Sequence, residues 1–353
     1  MKKLLLPFCL LLTNFIHAQL PQMIKDSKNA WVVSFTSDIR LDMLSDEQVK
    51  KVIDDSGLSI EGGLDVLKLV ENPHFQMNEG YQTLIYSLLN AANNHQIPIY
   101  SDKMCTQPFA PERLTQIDTL LLVDPTTYEQ KIRVVVNTIN PDDILLFRIY
   151  QSLAYQPSTG TWVSQVFALA PLKTRYTEDG HFVRYEPLFW IKVNNNKPKL
   201  DSKSITYAVR SRPRLKTGYL TFEEAEIHKR TTKEMPLQHF LDKANSDAKL
   251  PLYSVESWRE KTLLSMKQRR EMIFSSDTTI MIDPNTYESK EKVVLNQIKT
   301  EDIKKLRLVQ EWFWDDRKKV LSVRLVGVAP MVDVRNEADE FLYSKPLFYR
   351  RFD

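Results

Sequence analysis

Residues 123–139 read VDPTTYEQKIRVVVNTI, and residues 282–298 read IDPNTYESKEKVVLNQI. An offset of 159 residues superimposes them and holds without a net gap from Asp124 to Phe189 against Asp283 to Phe348. Identities along it include Asp124-Pro125, Thr127-Tyr128-Glu129, Val134-Val135, Asn137, Asp143-Ile144, Arg148, Gln151, Ala170-Pro171 and Pro187-Leu188-Phe189. One register sustained this far marks a duplication, and so long a period gives two tandem domains rather than a solenoid.

The repeat extends upstream. AANNHQIPIYS, ending at Ser101, resembles ANSDAKLPLYS, ending at Ser254, and each follows an amphipathic helix. Tyr81, Leu84, Ile85, Leu88 and Ala92 recur at helical spacing in the first, and Leu237, Phe240, Leu241 and Ala244 in the second. Pro98 and Pro251 stop the helices and start short edge strands. Downstream, Phe147, Ile149, Leu153 and Tyr155 alternate with Arg148, Tyr150 and Ser152. PSTG turns the chain, and Trp162 to Ala170 returns. In the second copy KLRLVQEWFW returns through DDRKK as VLSVRLVGVAP. The fold class expected is α+β: two tandem homologous small domains, each an amphipathic helix packed on an antiparallel sheet that contains a long hairpin. The division expected is a signal peptide over 1–18, an N-terminal region over 19–80, repeats over 81–193 and 235–353, and a linker over 194–234. Within that linker TFEEAEIHKR reads as a short helix opened by Thr221, and Ser45 to Gln48 reads as a capping box at another helix start.

The chain opens MKKLLLPFCLLLTNFIHAQ. Lys2 and Lys3 form a charged n-region, Leu4 to Ile16 an apolar run too short to span a bilayer, and Ala18 precedes the cleavage point. Export is therefore expected, with no lipid on Cys9 because Phe8 precedes it and too few apolar residues lead to it. Loss of Cys9 leaves Cys105 without a disulfide partner, so a packed core must supply stability. The formal net charge of +3 over 353 residues points to no nucleic-acid partner. Only 8 glycines occur, too few to assemble a phosphate-cradling loop.

Chemistry-bearing patterns are few. The histidines show no metal-ligand spacing, and no metal or cofactor is expected. Asp315-Asp316 has the look of an acid–base pair, but its counterparts in the first copy are Gln156 and Pro157, so a polar hairpin turn is the better reading. Asp124-Pro125 and Asp283-Pro284 read as turn starts. The aromatics say more. Trp312, Phe313 and Trp314 are consecutive, so one buried face cannot hide all three. Tyr185, Phe189 and Trp190 repeat the problem. Either the sheet is covered on both faces or a partner surface is present, since Trp, Tyr and Arg concentrate binding energy. The candidate partner-binding set is Trp162, Phe189, Trp190, Trp312, Trp314, Phe348, Arg148 and Arg307.

The stretch RIYQSLAYQPSTGTWVSQVFALAPLKTRYTEDGHFVRYEPLFWIKV resembles the GldN/PorN family. The features shared are the alternating strand Ile149 to Tyr155, the polar turn Gln156 to Gly160, the second strand Val163 to Pro171, the loop Glu178 to Gly180, and Tyr185 to Trp190. Gln96 to Tyr100 adds to it, and the repeat extends the likeness to the second copy. The resemblance implies a non-enzymatic periplasmic component of the gliding-motility and type IX secretion machinery of Bacteroidota. It implies assembly with an outer-membrane-associated lipoprotein of the GldK/PorK type and other secretion components, and self-association into a large ring, peripheral to the outer membrane without insertion. The alternative is a secreted carbohydrate-binding protein or glycan-active enzyme that stacks sugars on its aromatic strand faces.

Overall fold

The computed structural model describes residues 20, 22–41, 65–66, 84–123, 130–177, 179–196, 205–211, 214–216, 225–231, 236–255, 262–282, 289–298, 302–335 and 340–352. The signal segment, the Ser45 capping box and both Asp-Pro turns lie outside them. The elements of the first half are β1 (Trp31–Ile39), β2 (Asp65–Val66), α1 (Leu84–Asn93), β3 (Thr115–Val123), β4 (Gln130–Thr138), β5 (Leu146–Gln156), β6 (Thr161–Tyr176), β7 (Phe182–Pro187) and β8 (Ile191–Lys192). The second half adds β9 (Ile205–Ser211), β10 (Arg214–Lys216), β11 (Ala225–Arg230), α2 (Pro236–Ser246), β12 (Leu252–Tyr253), α3 (Met266–Ile273), β13 (Phe274–Ile282), β14 (Ser289–Gln297), β15 (Ile303–Asp315), β16 (Val320–Arg335), β17 (Phe341–Pro346) and β18 (Tyr349–Arg351).

The protein is α+β, with few helices and two large antiparallel sheets. The first runs β11-β1-β5-β6-β7, with β8 also on β6. The second runs β12-β18-β16-β15-β9-β2, with β10 on β15 and β17 on β16. The ribbons β3-β4 and β13-β14 are separate two-stranded sheets. The offset of 159 residues carries β3, β4, β6 and β7 onto β13, β14, β16 and β17 end for end.

The stretch expected as a linker is part of the sheets instead. Trp31 faces Tyr155 and Asp38 faces Arg148. At the equivalent positions Tyr207 faces Trp314, and Arg214 faces Arg307. Strands β9 and β10 are thus the second copy's version of β1. Residues 225–230, expected as helix, form β11 instead, with Ala225, Glu226 and Ile227 opposite Phe35, Ser34 and Val33. Pairing along an edge with open backbone groups outweighs local helix propensity there. The exchange is reciprocal: β2, which follows β1, pairs with β9 of the second sheet, while β11, which follows β9 and β10, pairs with β1 of the first.

Both long hairpins carry a bulge at the same place. Tyr150 and Gln151 face Ala168 and Val166, so Phe167 is the extra residue. Val309 and Gln310 face Gly327 and Leu325, so Val326 is. A bulge shifts the side-chain alternation by one. On the returning strand the inward residues are therefore Trp162 and Val166 before it and Leu169 after it. The base and the tip of each hairpin bury in different cores, with Val166 beside the bulge still in the core of the base. One core joins α1 (Leu84, Leu88), the base of the first hairpin (Phe147, Ile149, Leu169) and the tip of the second (Trp312, Trp314, Leu321, Val323). The other joins α2 (Leu237, Phe240, Leu241), the base of the second hairpin (Leu306, Leu308, Val328) and the tip of the first (Leu153, Tyr155, Trp162), with Trp31 and Phe35 of β1. Each copy completes the other's core.

Candidate functional site

Six of the candidate partner-binding residues are aromatic, and all six are buried: Trp162, Phe189, Trp190, Trp312, Trp314 and Phe348. Their expected role as an external surface is corrected by this burial, because a side chain closed off from solvent reaches no partner without unfolding. Alternation explains how consecutive aromatics are all hidden. Trp312 and Trp314 point into the α1 core, while Phe313 faces outward beneath the Arg324 guanidinium, 5.8 Å from its ring centroid. Arg324 in turn donates to Glu311, with Nε–Oε2 2.6 Å. The Arg324 cation is one of the groups that close off that face. Trp190 packs with Tyr150, Phe167 and Cys105 on the outer face of the first sheet.

Trp162, Trp312 and Trp314 pack against the other copy. Tyr155 lies 4.6 Å from Trp162 between ring centroids, Trp162 lies 6.0 Å from Phe240 of α2, and Phe240 lies 5.9 Å from Phe348. The Tyr155 hydroxyl meets His239 Nδ1 at 3.0 Å, and Lys243 Nζ donates to the Ser158 carbonyl in the hairpin turn at 2.7 Å. On the opposite side Val323 donates to the Asn194 carbonyl, and Asn194 to the Leu321 carbonyl. Where the two hairpins cross, Gln310 Nε2 donates to Gln151 Oε1 at 2.8 Å. These two residues are counterparts 159 positions apart, so the pseudo-twofold axis of the duplication passes between them.

The two arginines have intramolecular partners. Arg148 forms a bidentate pair with Asp38, Nε–Oδ1 2.6 Å and Nη2–Oδ2 2.8 Å. Arg307 Nη1 donates to the Tyr349 hydroxyl at 3.0 Å. Asp315 and Asp316 act as turn residues. Asp315 accepts from the Lys318 amide. Asp316 accepts from Trp314 Nε1 and from Lys319 Nζ, and the Lys319 contact is the largest cause holding its carboxyl below the usual range.

A hydroxyl–imidazole chain that the sequence did not single out joins Ser152, Ser34 and His228. The Ser34 and Ser152 oxygens lie 2.6 Å apart, and His228 Nε2 lies 2.7 Å from Ser34 Oγ. Ser34 is buried in a strand paired on both sides. Its own backbone therefore has no amide to spare for an oxyanion, and the chain ties β11 to the sheet. Among the described residues no group of His, Cys, Asp and Glu could hold a metal ion.

Among the described residues the longest run of consecutive exposed apolar side chains lies on strand β17. Phe341, Leu342 and Tyr343 of β17 are 47%, 55% and 53% exposed. Three consecutive residues cannot share one face of a strand, so this strand is apolar on both faces. Nothing local in the pattern FLYSKP separates an edge strand from an inner one.

Among the described residues no helix is long and apolar enough to cross a membrane. The family model described as "Gliding motility associated protein GldN" matches residues 65–214 and again residues 218–353. No curated protein matches the chain.

Proposed function

The chain belongs to the GldN family, a component of gliding motility and type IX secretion, and on that premise we propose that it is a non-enzymatic structural subunit of the apparatus in the periplasm. It assembles there with an outer-membrane-associated lipoprotein of the GldK/PorK type and with further copies of itself in a large ring. The copies over 81–193 and 235–353 act as one body rather than two independent binding units. The observation that carries the reading is the exposed apolar strand β17, a surface suited to a protein partner on a body whose described tryptophans are all buried. The glycan-binding alternative loses its platform, because the tryptophans it would use are buried. Lys2, Lys3 and the apolar run after them support export.

The test is mild-detergent purification of the tagged protein from its own envelope, read by mass spectrometry and electron microscopy. Recovery with a lipoprotein in ring-shaped particles is expected. Recovery as a lone monomer under conditions that preserve other envelope complexes would overturn the reading.

A further inference from the structure

We propose that the outer face of β10 and β15 binds an acidic segment of a protein partner, whose carboxylates dock on Arg214, Lys216, Lys305 and Arg307. This rests on the assembly reading above and gives the assembly one contact surface. Leu306 and Leu308 of β15 are buried in the α2 core, so alternation puts Lys305 and Arg307 on the opposite face. Strand β10 sets Arg214 opposite Arg307 and Lys216 opposite Lys305. Two successive pairs on one face are therefore cation against cation, an arrangement that weakens strand pairing unless an anion joins it.

The first copy is an internal control. Arg148, the counterpart of Arg307, has Asp38 opposite it and holds that carboxylate through Nε and Nη2. Leu146 stands at the position of Lys305. In the second copy Arg214 replaces Asp38, and the residue facing Arg307 on its other side is Ala329. Neither neighbouring strand sets a carboxylate against it. Arg307 donates from Nη1 to the Tyr349 hydroxyl, and its Nε is buried with no acceptor. Arg307 is half-buried, and a carboxylate arriving from solvent takes Nη2, as Asp38 Oδ2 does on Arg148.

The described carboxylates nearby leave the arginine pair unmatched. Glu311, further along the same face of β15, is taken by Arg324. Asp333 lies diagonal to Lys305, two residues beyond its partner Met331, and accepts from Ser344 Oγ. Asp302 precedes β15, and Glu340 lies beyond the Arg335–Phe341 pair at the far end of β17. Even with Asp302 and Asp333 both given to the lysines, the positions diagonal to Arg307 on β16 hold Gly327 and Met331. The cations recur at every second residue of both strands, so acidic side chains at alternate positions of an extended partner segment match them.

The test uses the full mature chain and fluorescein-labelled peptides, followed by fluorescence anisotropy. One peptide carries glutamate at alternate positions between threonines, and the other carries glutamine there. The glutamate peptide is expected to bind, less tightly as salt rises, and the glutamine peptide roughly tenfold more weakly. Equal binding of the two, or binding of neither, would overturn the proposal. Arg214→Asp gives β10 the residue of the first copy, so it removes the site while building an ion pair with Arg307. This variant is expected to keep its circular dichroism, to unfold in urea at or above the parent midpoint, and to bind the glutamate peptide roughly tenfold more weakly. Undiminished binding would overturn the proposal, and a lowered midpoint would overturn the premise that Arg307 lacks a carboxylate. Inorganic phosphate that displaces the peptide far below the concentration of succinate needed would overturn a carboxylate site in favour of a phosphate-bearing ligand. If the peptide results fail while the parent chain is still recovered from envelopes with a lipoprotein in rings, the surface is wrong and the assembly reading survives.

Discussion

Replacing the glutamine pair on the pseudo-twofold axis by methionine tests how the two copies are joined. Gln151 and Gln310 are both almost fully buried. Gln151 Oε1 accepts from Gln310 Nε2 at 2.8 Å and from Ser164 Oγ at 3.4 Å, while Gln310 Oε1 has no hydrogen-bond partner. Gln310→Met removes a neutral hydrogen bond, a loss of about 0.5–1.5 kcal/mol, but it also removes an unsatisfied buried oxygen. Gln151→Met leaves the whole Gln310 amide unpaired in the interior, and a buried unpaired polar group costs about 1–3 kcal/mol. The expected order is therefore Gln151→Met about 2–3 kcal/mol and Gln310→Met about 1 kcal/mol destabilising. The double variant, in which both partners become apolar with similar shape, should lie within about 1 kcal/mol of the parent. Urea denaturation of the full chain at constant slope reads all four corners of the cycle. A double variant costing the sum of the singles would refute the direct bond. A costlier Gln310→Met would refute the assignment of donor and acceptor.

Trp312→Ala should cost about 3–5 kcal/mol. Because Trp312 lines the core of α1, amide exchange of Leu84 to Ala92 should accelerate with the second copy; unchanged protection of α1 would mean the cores are separate. Burial pushes the Cys105 thiol up to about 12, against about 8.5 in an unfolded chain. Its contribution to stability is whole below about pH 8.5 and falls as pH rises from there towards 12, because the unfolded chain releases the proton first. Alkylation of the native protein at pH 8 should be slow and should accelerate on denaturation; equal rates would show an accessible thiol.

The hairpins were legible because alternation is a local signal and PSTG is turn chemistry. Gly160 indeed adopts φ +61° there, a conformation that L side chains rarely take. The duplication was legible because identity at a fixed offset needs no geometry. The shared cores were not, since nothing local distinguishes a tryptophan that meets its own helix from one that meets its counterpart's. The exchange of β2 and β11 was hidden for a related reason. WVVSFTSDI at 31–39 and YAVRSRPRL at 207–215 match only at Val33 and Val209, so the equivalence appears in strand pairing alone. Consecutive aromatics at Trp312 to Trp314 left a covered sheet and a partner surface both open, and all three are buried. The same signal at Phe341 to Tyr343 lies on an exposed strand, and only the folded sheet separates the two cases.

The reciprocal exchange also governs how the protein can be made. A chain that emerges amino end first has β1, β5, β6 and β7 in hand long before residue 230, yet the edge of that sheet stays unfinished until β11 arrives, and the hairpin tip waits for α2. The first half is therefore a waiting intermediate, with Tyr155 and Trp162 bare to other nascent chains. On refolding from urea, a chain cut after residue 193 should therefore aggregate at concentrations where the full chain refolds; equal recovery of the two would show that the tip does not wait for α2.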